Sequence, residues 1–277
     1  MKALALAALL LAPPLALAED APPPAAPPAA PAPAPKPPEW KGTLGAGLIV
    51  LSGNSDSTSF TGSAAASRET FGWIVSAKAA AAYGESRAAG STVSQVSAYA
   101  GSGLVRLDRK FGEVWTVFAL GGVEADHVAN IEYRTASELG ASAQLVERKE
   151  ADWLKLALRV DLGLRYGYEA RYQYYPPLTT PPTLPGPQPG VELLAPRLGL
   201  AFRYGFSKEV FVTEEAEAMG SISGESRWLA KSVTKLSSRL SDALTFGAGY
   251  TVAYDSRPAP GKKDTDMALT ALLEVGF

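Results

Sequence analysis

The sequence has no cysteine and only one histidine, His127, among its 277 residues. Without cysteine the chain cannot hold disulfides, thiolate metal sites or a cysteine nucleophile. One histidine cannot build a multi-histidine zinc or iron site, so we expect no metal and no other cofactor. The 26 Lys and Arg residues nearly balance the 28 Asp and Glu residues, so the sequence lacks the basic surface that nucleic-acid binding requires.

Long apolar runs are also missing, because the first one, Ala3 to Leu11, is shorter than the ~20 residues of a membrane-spanning helix. Two prolines follow it, and Ala16-Leu17-Ala18 has the small residues that signal peptidase accepts. We therefore predict a secretory signal over residues 1–18, cleaved between Ala18 and Glu19. Residues 19–39 are rich in proline and alanine, which predicts a disordered periplasmic tether ahead of a domain over 40–277.

The body of the chain alternates between apolar and polar residues. From Leu154 to Glu169 every even position is Leu, Val or Tyr, and most odd positions are charged or glycine. A strand sends successive side chains to opposite faces, so this segment has one apolar face and one polar face. Sixteen residues in register exceed the usual strand of a soluble sandwich. The pattern predicts an all-β fold, an antiparallel transmembrane β-barrel whose apolar face meets lipid and whose polar face lines a lumen.

Aromatic residues near strand ends predict a girdle at one membrane interface. They are Trp40, Trp73, Trp115, Trp153, Phe246 and Phe277. We predict twelve strands, at 43–52, 57–68, 72–83, 92–106, 113–125, 133–147, 153–171, 192–206, 209–221, 226–240, 243–255 and 265–277. Apolar residues at helical spacing in 225–240 and the Glu214-Glu215 pair in the ninth strand fit the strand pattern poorly. A count of ten or fourteen strands is therefore left open. An even number places both termini on the periplasmic side of an outer membrane, and the proline-packed 172–191 segment is expected to be a surface loop.

Several short motifs match a known family. They are Trp40-Lys41-Gly42, Gly53-Asn54-Ser55-Asp56, Tyr133-Arg134-Thr135 with Gly140, Tyr254-Asp255-Ser256-Arg257-Pro258, and Lys262-Lys263-Asp264-Thr265 before the last strand. Over residues 40–277 the chain resembles the salt-induced outer-membrane proteins, the uncharacterised YdiY-like barrels of Gram-negative bacteria. The resemblance implies an outer-membrane barrel linked to envelope stress, with no assigned chemistry. The tether and the 176–189 loop depart from the family pattern.

Inward charges of the seventh and eighth strands are the main functional candidates. They are Lys155, Arg159, Asp161, Arg165, Glu169, Arg197 and Arg203. In an open lumen this net positive strip would favour anions. The alternative is that the charges pair with one another and plug a narrow barrel.

The sequence leaves two further functions open. Asp126-His127 could serve an outer-membrane hydrolase, although a single loop histidine is more often a solvated surface residue. The Pro-rich loop 176–189 could support adhesion or assembly. Asp255, Asp264 and Asp266 lack the fixed spacing of a calcium loop, so no metal site is predicted. The expected partners are outer-membrane lipid and the barrel assembly machinery, which would bind the C-terminal strand ending in Phe277.

Overall fold

The protein forms twelve β-strands, as the alternation predicts. The structure, a computed structural model, describes residues 39–51, 55–88, 91–175, 184–224 and 226–277. The strands are β1 Lys41–Leu51, β2 Ser55–Thr70, β3 Trp73–Ala88, β4 Gln95–Phe111, β5 Trp115–Asp126, β6 Ile131–Glu150, β7 Trp153–Gln173, β8 Gly186–Gly205, β9 Val210–Gly220, β10 Trp228–Arg239, β11 Leu244–Asp255 and β12 Thr265–Gly276.

The strands close into one antiparallel barrel in which each strand pairs with its neighbours in sequence. The ring is completed by β1 and β12, whose register runs only from Thr43–Gly276 to Ala46–Leu273. Gly42 and Phe277 extend this seam, since each donates a backbone hydrogen bond of 3.0 Å to the other's carbonyl. Any side chain at Gly42 would collide with the Phe277 ring. The C-terminal aromatic ring therefore lies over the seam.

The outer wall is mainly apolar, and most of the charged side chains of the strands lie on the inner wall. On β7 the even residues, such as Leu162 and Leu164, are exposed on the outside, whereas Asp161 and Glu169 are buried on the inside. Apolar side chains exposed on the outer face of a closed sheet are typical of barrels that lie in a bilayer. The described residues contain no helix long and apolar enough to span a membrane.

Aromatic residues form rows at both ends of the outer wall. Five residues of the predicted girdle are exposed near the end that holds both ends of the barrel sequence, here called the terminal end: Trp40, Trp73, Trp115, Phe246 and Phe277. Trp153 differs, because its ring packs over Gly205 on the lumen side of the wall. A second row near the opposite end, the loop end, includes Tyr83, Tyr99, Tyr133 and Trp228. The sequence prediction missed this row.

Some strand ends were predicted wrongly. β8 begins at Gly186, so Pro187 and Pro189 belong to a strand and not to the predicted 172–191 loop. Proline is tolerated there because β9 stops at Gly220, opposite the middle of β8, and leaves this part of β8 as an edge. At the terminal end β2 continues to Thr70, beyond its predicted end at 68. The β2–β3 turn is residues 71–72, both with positive φ.

The first strand of the barrel, β1, starts at Lys41. The division into signal, tether and barrel domain stays a prediction. The predicted signal, its cleavage site at Ala18 and Glu19, and the tether up to residue 38 lie outside the described residues. So do residues 176–183 of the Pro-rich loop.

Candidate functional site: the charged lumen

The inner face of β7 carries charged groups at three levels. Asp161, Arg165 and Glu169 lie four residues apart, which is about 13 Å along a strand at ~3.3 Å per residue. Each belongs to a separate group of ion pairs, here named the Arg106, Glu138 and Glu169 clusters. Because other strands supply the partners, the clusters tie strands from β4 to β11 together through the inside of the barrel.

The Arg106 cluster lies nearest the terminal end. Arg106 Nη1 donates to Asp161 Oδ2 at 2.7 Å, Nη2 donates to Ser142 Oγ at 2.7 Å, and Nε donates to Asp108 Oδ1 at 3.0 Å. Its guanidinium also lies 3.8 Å from the centroid of the Phe118 ring. Arg159 Nε is 3.1 Å from Asp161 Oδ1, which adds a second cation. Two arginines and two aspartates therefore balance each other here.

The Glu138 cluster lies in the middle of the barrel. The Glu138 side chain is fully buried, and its carboxylate accepts from Arg165 Nε at 2.7 Å and Arg197 Nη1 at 3.1 Å. Glu217 accepts from the same two arginines at 3.2 Å and 2.7 Å. Gly163 makes room for this arrangement, because a Cβ there would overlap the Glu138 carboxylate. This cluster too is electrically neutral.

The Glu169 cluster lies towards the loop end. The buried Glu169 carboxylate pairs with three guanidinium groups, and Glu124 and Asp255 complete the balance. Arg134 Nε donates to Glu169 Oε2 at 2.8 Å, and Arg227 Nη2 donates to the same oxygen at 3.1 Å. Its members are Glu124, Arg134, Glu169, Arg171, Arg227 and Asp255. Three carboxylates thus meet three arginines.

The opposite part of the inner wall carries small residues. The register places Ser59, Thr61, Ser63 and Ala65 of β2, and Ala80 and Ala82 of β3, on the lumen side. Side chains of this size do not reach the charged wall. The lumen is therefore lined by packed ion pairs on one side and by a smooth wall of small residues on the other.

One ion pair crosses the lumen. Lys78 Nζ of β3 lies 2.7 Å and 2.8 Å from the two carboxylate oxygens of Glu215 on β9. β3 and β9 are opposite each other in the strand ring. The two side chains are 50% and 62% exposed although both point inward from mid-strand. Exposure at this position means that the interior is open beside the pair.

The structure places all seven residues of the predicted strip on the lumen side of β7 and β8. Five of them belong to the neutral clusters. Lys155 pairs with Glu150 near the terminal end. Arg203 has no acidic partner among the described residues, and its guanidinium lies 3.7 Å from the centroid of the Phe211 ring.

Sequence reasoning missed most of the acidic and basic partners on the other strands. Asp108, Glu138 and Glu217 lie at inward positions of β4, β6 and β9, but these strands alternate less regularly than β7. Applying the inward parity to every strand would have found them. Arg227 has the same parity within the predicted strand at 226–240, although in the structure it lies just before β10.

His127 lies at the loop end in an aromatic stack. Its ring is 3.9 Å from that of Tyr174, nearly parallel, and 4.5 Å from that of Tyr99, edge to face. The Asp126 carboxylate accepts a hydrogen bond from the Ala129 backbone N–H at 2.9 Å. Within the described ranges no side chain is hydrogen-bonded to the His127 ring. Among the described residues, the side-chain contacts of His127 are therefore aromatic packing and not hydrogen bonds.

A depression of about 560 Å³ lies on the outer wall across β2 to β5, lined largely by alanine and glycine. Among the described residues no group of three or more His, Asp or Glu side chains is arranged to hold a metal ion. The lumen clusters are the chemically distinctive part of the molecule.

Comparison with known proteins gives a family without an assigned activity. The model of a family described as "Protein of unknown function, DUF481" matches residues 44–277. The chain belongs to this family. A comparison with curated proteins found no match.

Among solved structures, the chain is similar to the translocator domain of the autotransporter NalP from Neisseria meningitidis, at 12% identity, 86% coverage of both chains and a TM-score of 0.44. It is also similar to the NanC porin, at 11% identity, 85% and 97% coverage and a TM-score of 0.41. A third similar structure, the KdgM porin, has 12% identity, 86% and 96% coverage and a TM-score of 0.36.

Proposed function

We propose that this member of the DUF481 family is an outer-membrane barrel that acts as a narrow, water-filled pore with a weak preference for anions. Its termini lie in the periplasm, and it catalyses no reaction. The apolar outer wall with aromatic rows at both ends supports the membrane location. The signal-like residues 1–18 support export, and the resemblance to salt-induced outer-membrane proteins supports a role under envelope stress.

The main support for an open pore is the exposed Lys78–Glu215 ion pair. In a plugged barrel the inward side chains at mid-height would be buried by one another. Here two opposed side chains meet across the interior and remain half exposed, and Ala80 beside Lys78 is exposed as well. The balanced clusters support a weak preference rather than a strong one, because each contributes little net charge to the lumen.

The pore is tested with two substitutions on one strand. One places a large side chain in the lumen, and the control places the same side chain on the outer wall. Ala80 faces the lumen and Ala79 faces outward on the same strand. We expect Ala80→Trp to lower the single-channel conductance of the refolded barrel in a planar bilayer at least twofold, and Ala79→Trp to leave it unchanged. Absence of stepwise current from the wild-type barrel, or equal conductance of the two variants, would contradict the pore. The barrel would then be plugged and its function structural.

The proposal also gives the C-terminal strand a role in assembly of the barrel. Phe277 covers the seam between β1 and β12, so the last residue contributes to closure. We propose that the assembly machinery recognises this strand before it pairs with β1. Deletion of Phe277 is expected to reduce the amount of folded barrel in outer-membrane fractions, whereas an unchanged amount would argue against this partner.

A further inference from the structure

The Lys78–Glu215 pair, here called the bridge, divides the lumen into two halves. Because it joins β3 to β9, the strands β4 to β8 lie on one side of it, and β10, β11, β12, β1 and β2 lie on the other. The Arg106 and Glu138 clusters occupy the first half, and their central carboxylates are buried. Ala195, an inward position of β8 in the same half, is completely buried as well. The first half is therefore largely filled with side chains.

The second half is open at the height of the bridge. The inward positions that the register places level with Glu215 are Val233 on β10, Thr251 on β11 and Ala268 on β12. All three are uncharged, and Ala268 is exposed although it points inward. Exposure of an inward alanine means that the space beside it is free. An open passage therefore runs between the bridge and the wall formed by β10, β11 and β12, and it is here called the β10–β12 passage.

The charges that flank the β10–β12 passage balance each other among the described residues. Towards the loop end, Lys231 on β10 and Asp266 on β12 are level with each other, with Ala253 of β11 between them. Towards the terminal end, Lys235 Nζ lies 2.9 Å and 2.8 Å from the two carboxylate oxygens of Glu274. Each flank thus combines one cation with one carboxylate. A change of charge at the bridge would not be compensated by either flank.

We propose that ions cross the middle of the barrel through the β10–β12 passage and that Lys78 and Glu215 set the charge selectivity there. The lumen is narrowed at the bridge, because side chains of two opposite strands meet there. Charged side chains that line a constriction select ions by the sign of their charge. In the wild-type barrel the ammonium and the carboxylate offset each other, in agreement with a weak preference. This inference rests on the proposed pore and names the residues that determine its selectivity.

Two substitutions at the bridge should move the selectivity in opposite directions. Each refolded variant is placed in a planar bilayer between two dilute KCl solutions of different concentration, because screening is weakest at low ionic strength. Lys78→Gln leaves the Glu215 carboxylate without its cation, so the permeability ratio of chloride to potassium should fall at least twofold. Glu215→Gln leaves the Lys78 ammonium without its carboxylate, so the ratio should rise at least twofold. The double variant should return close to the wild-type ratio.

The bridge variants are expected to fold, because an exposed ion pair contributes little to stability. Heat-modifiable gel migration checks this before each measurement. Lys149→Gln is the matched control, since Lys149 and Glu147 form another exposed pair, close to the β6–β7 turn and away from the passage. Its permeability ratio should equal that of the wild-type barrel.

The route through the second half can be tested without measuring current. The chain has no cysteine, so a single introduced thiol can be followed. Ala268→Cys should react with a small, water-soluble thiol reagent in the folded barrel, because Ala268 lines the β10–β12 passage. Ala195→Cys is the matched control, since Ala195 also points inward but is completely buried in the first half. We expect it to react at least tenfold more slowly.

Four results would overturn the inference. They are unchanged permeability ratios in both bridge variants, shifts of the same sign in both, an equal shift in the Lys149 control, and equal labelling of the two cysteines. Failure of the inference is distinguishable from failure of the pore. A wild-type barrel that conducts while the bridge variants leave the ratio unchanged keeps the pore and removes the inference, whereas a silent wild-type barrel removes both.

Discussion

Glu138→Gln is the substitution that tests the buried clusters most sharply. The change keeps the size of the side chain but removes the negative charge that Arg165 and Arg197 share. Removing one partner from a buried ion pair costs about 3–5 kcal/mol, because the remaining charge is left uncompensated. Glu217 still contacts both arginines and is partly exposed, so we expect the lower end of this range, about 3 kcal/mol.

The assay is urea unfolding of the barrel in phospholipid vesicles, followed by tryptophan fluorescence and extrapolated linearly to zero urea. Glu147→Gln is the control, because Glu147 and Lys149 form an exposed pair at 3.3 Å. An exposed pair contributes about 0–1 kcal/mol. A double substitution with Arg197→Gln should be clearly less damaging than the sum of the single ones, since both act on one cluster.

Equal effects of Glu138→Gln and Glu147→Gln on the unfolding free energy would refute this prediction. In that case the buried charges would not hold β6, β7 and β8 together.

Three further predictions concern packing. Gly163→Ala should destabilise the barrel by displacing a buried carboxylate, whereas Gly121→Ala should be neutral in the same unfolding assay, because a Cβ at Gly121 meets no atom within 4 Å. Gly42→Val should weaken the seam by pushing the Phe277 ring away, and is expected to lower the temperature at which the barrel loses its compact gel migration. His127→Ala should remove aromatic packing worth about 1 kcal/mol and leave lipid hydrolysis at background, and a hydrolytic activity lost with this change would contradict the proposal that the barrel is not an enzyme.

The strand count and the direction of the side chains could be predicted from the sequence. The backbone of a strand sends successive side chains to opposite faces, so a two-sided strand leaves an alternating pattern of apolar and polar residues. β7 is the clearest case, with an unbroken apolar face from Leu154 to Tyr168. Strand ends were harder to predict. Pro187 and Pro189 are residues typical of a loop, and the sequence does not reveal that β9 stops short and leaves an edge beside them.

The charged strip shows the same limit. Its inward direction follows from parity, but its charge balance depends on which charged residues of the other strands between β4 and β11 face it. Register decides this, and register is a property of the assembled sheet. The Lys78–Glu215 pair joins residues 137 positions apart in sequence, so only the closed ring brings them together.

Water and ions pass through the lumen if the barrel is a pore, and the reversal potential of the wild-type barrel tests this most directly. A planar bilayer holding the refolded protein is placed between two KCl solutions of different concentration. We predict small, stepwise currents whose reversal potential is shifted modestly in the direction of chloride permeation. A membrane that stays silent while the protein is inserted and folded, or a reversal potential shifted towards potassium, would contradict the proposed pore.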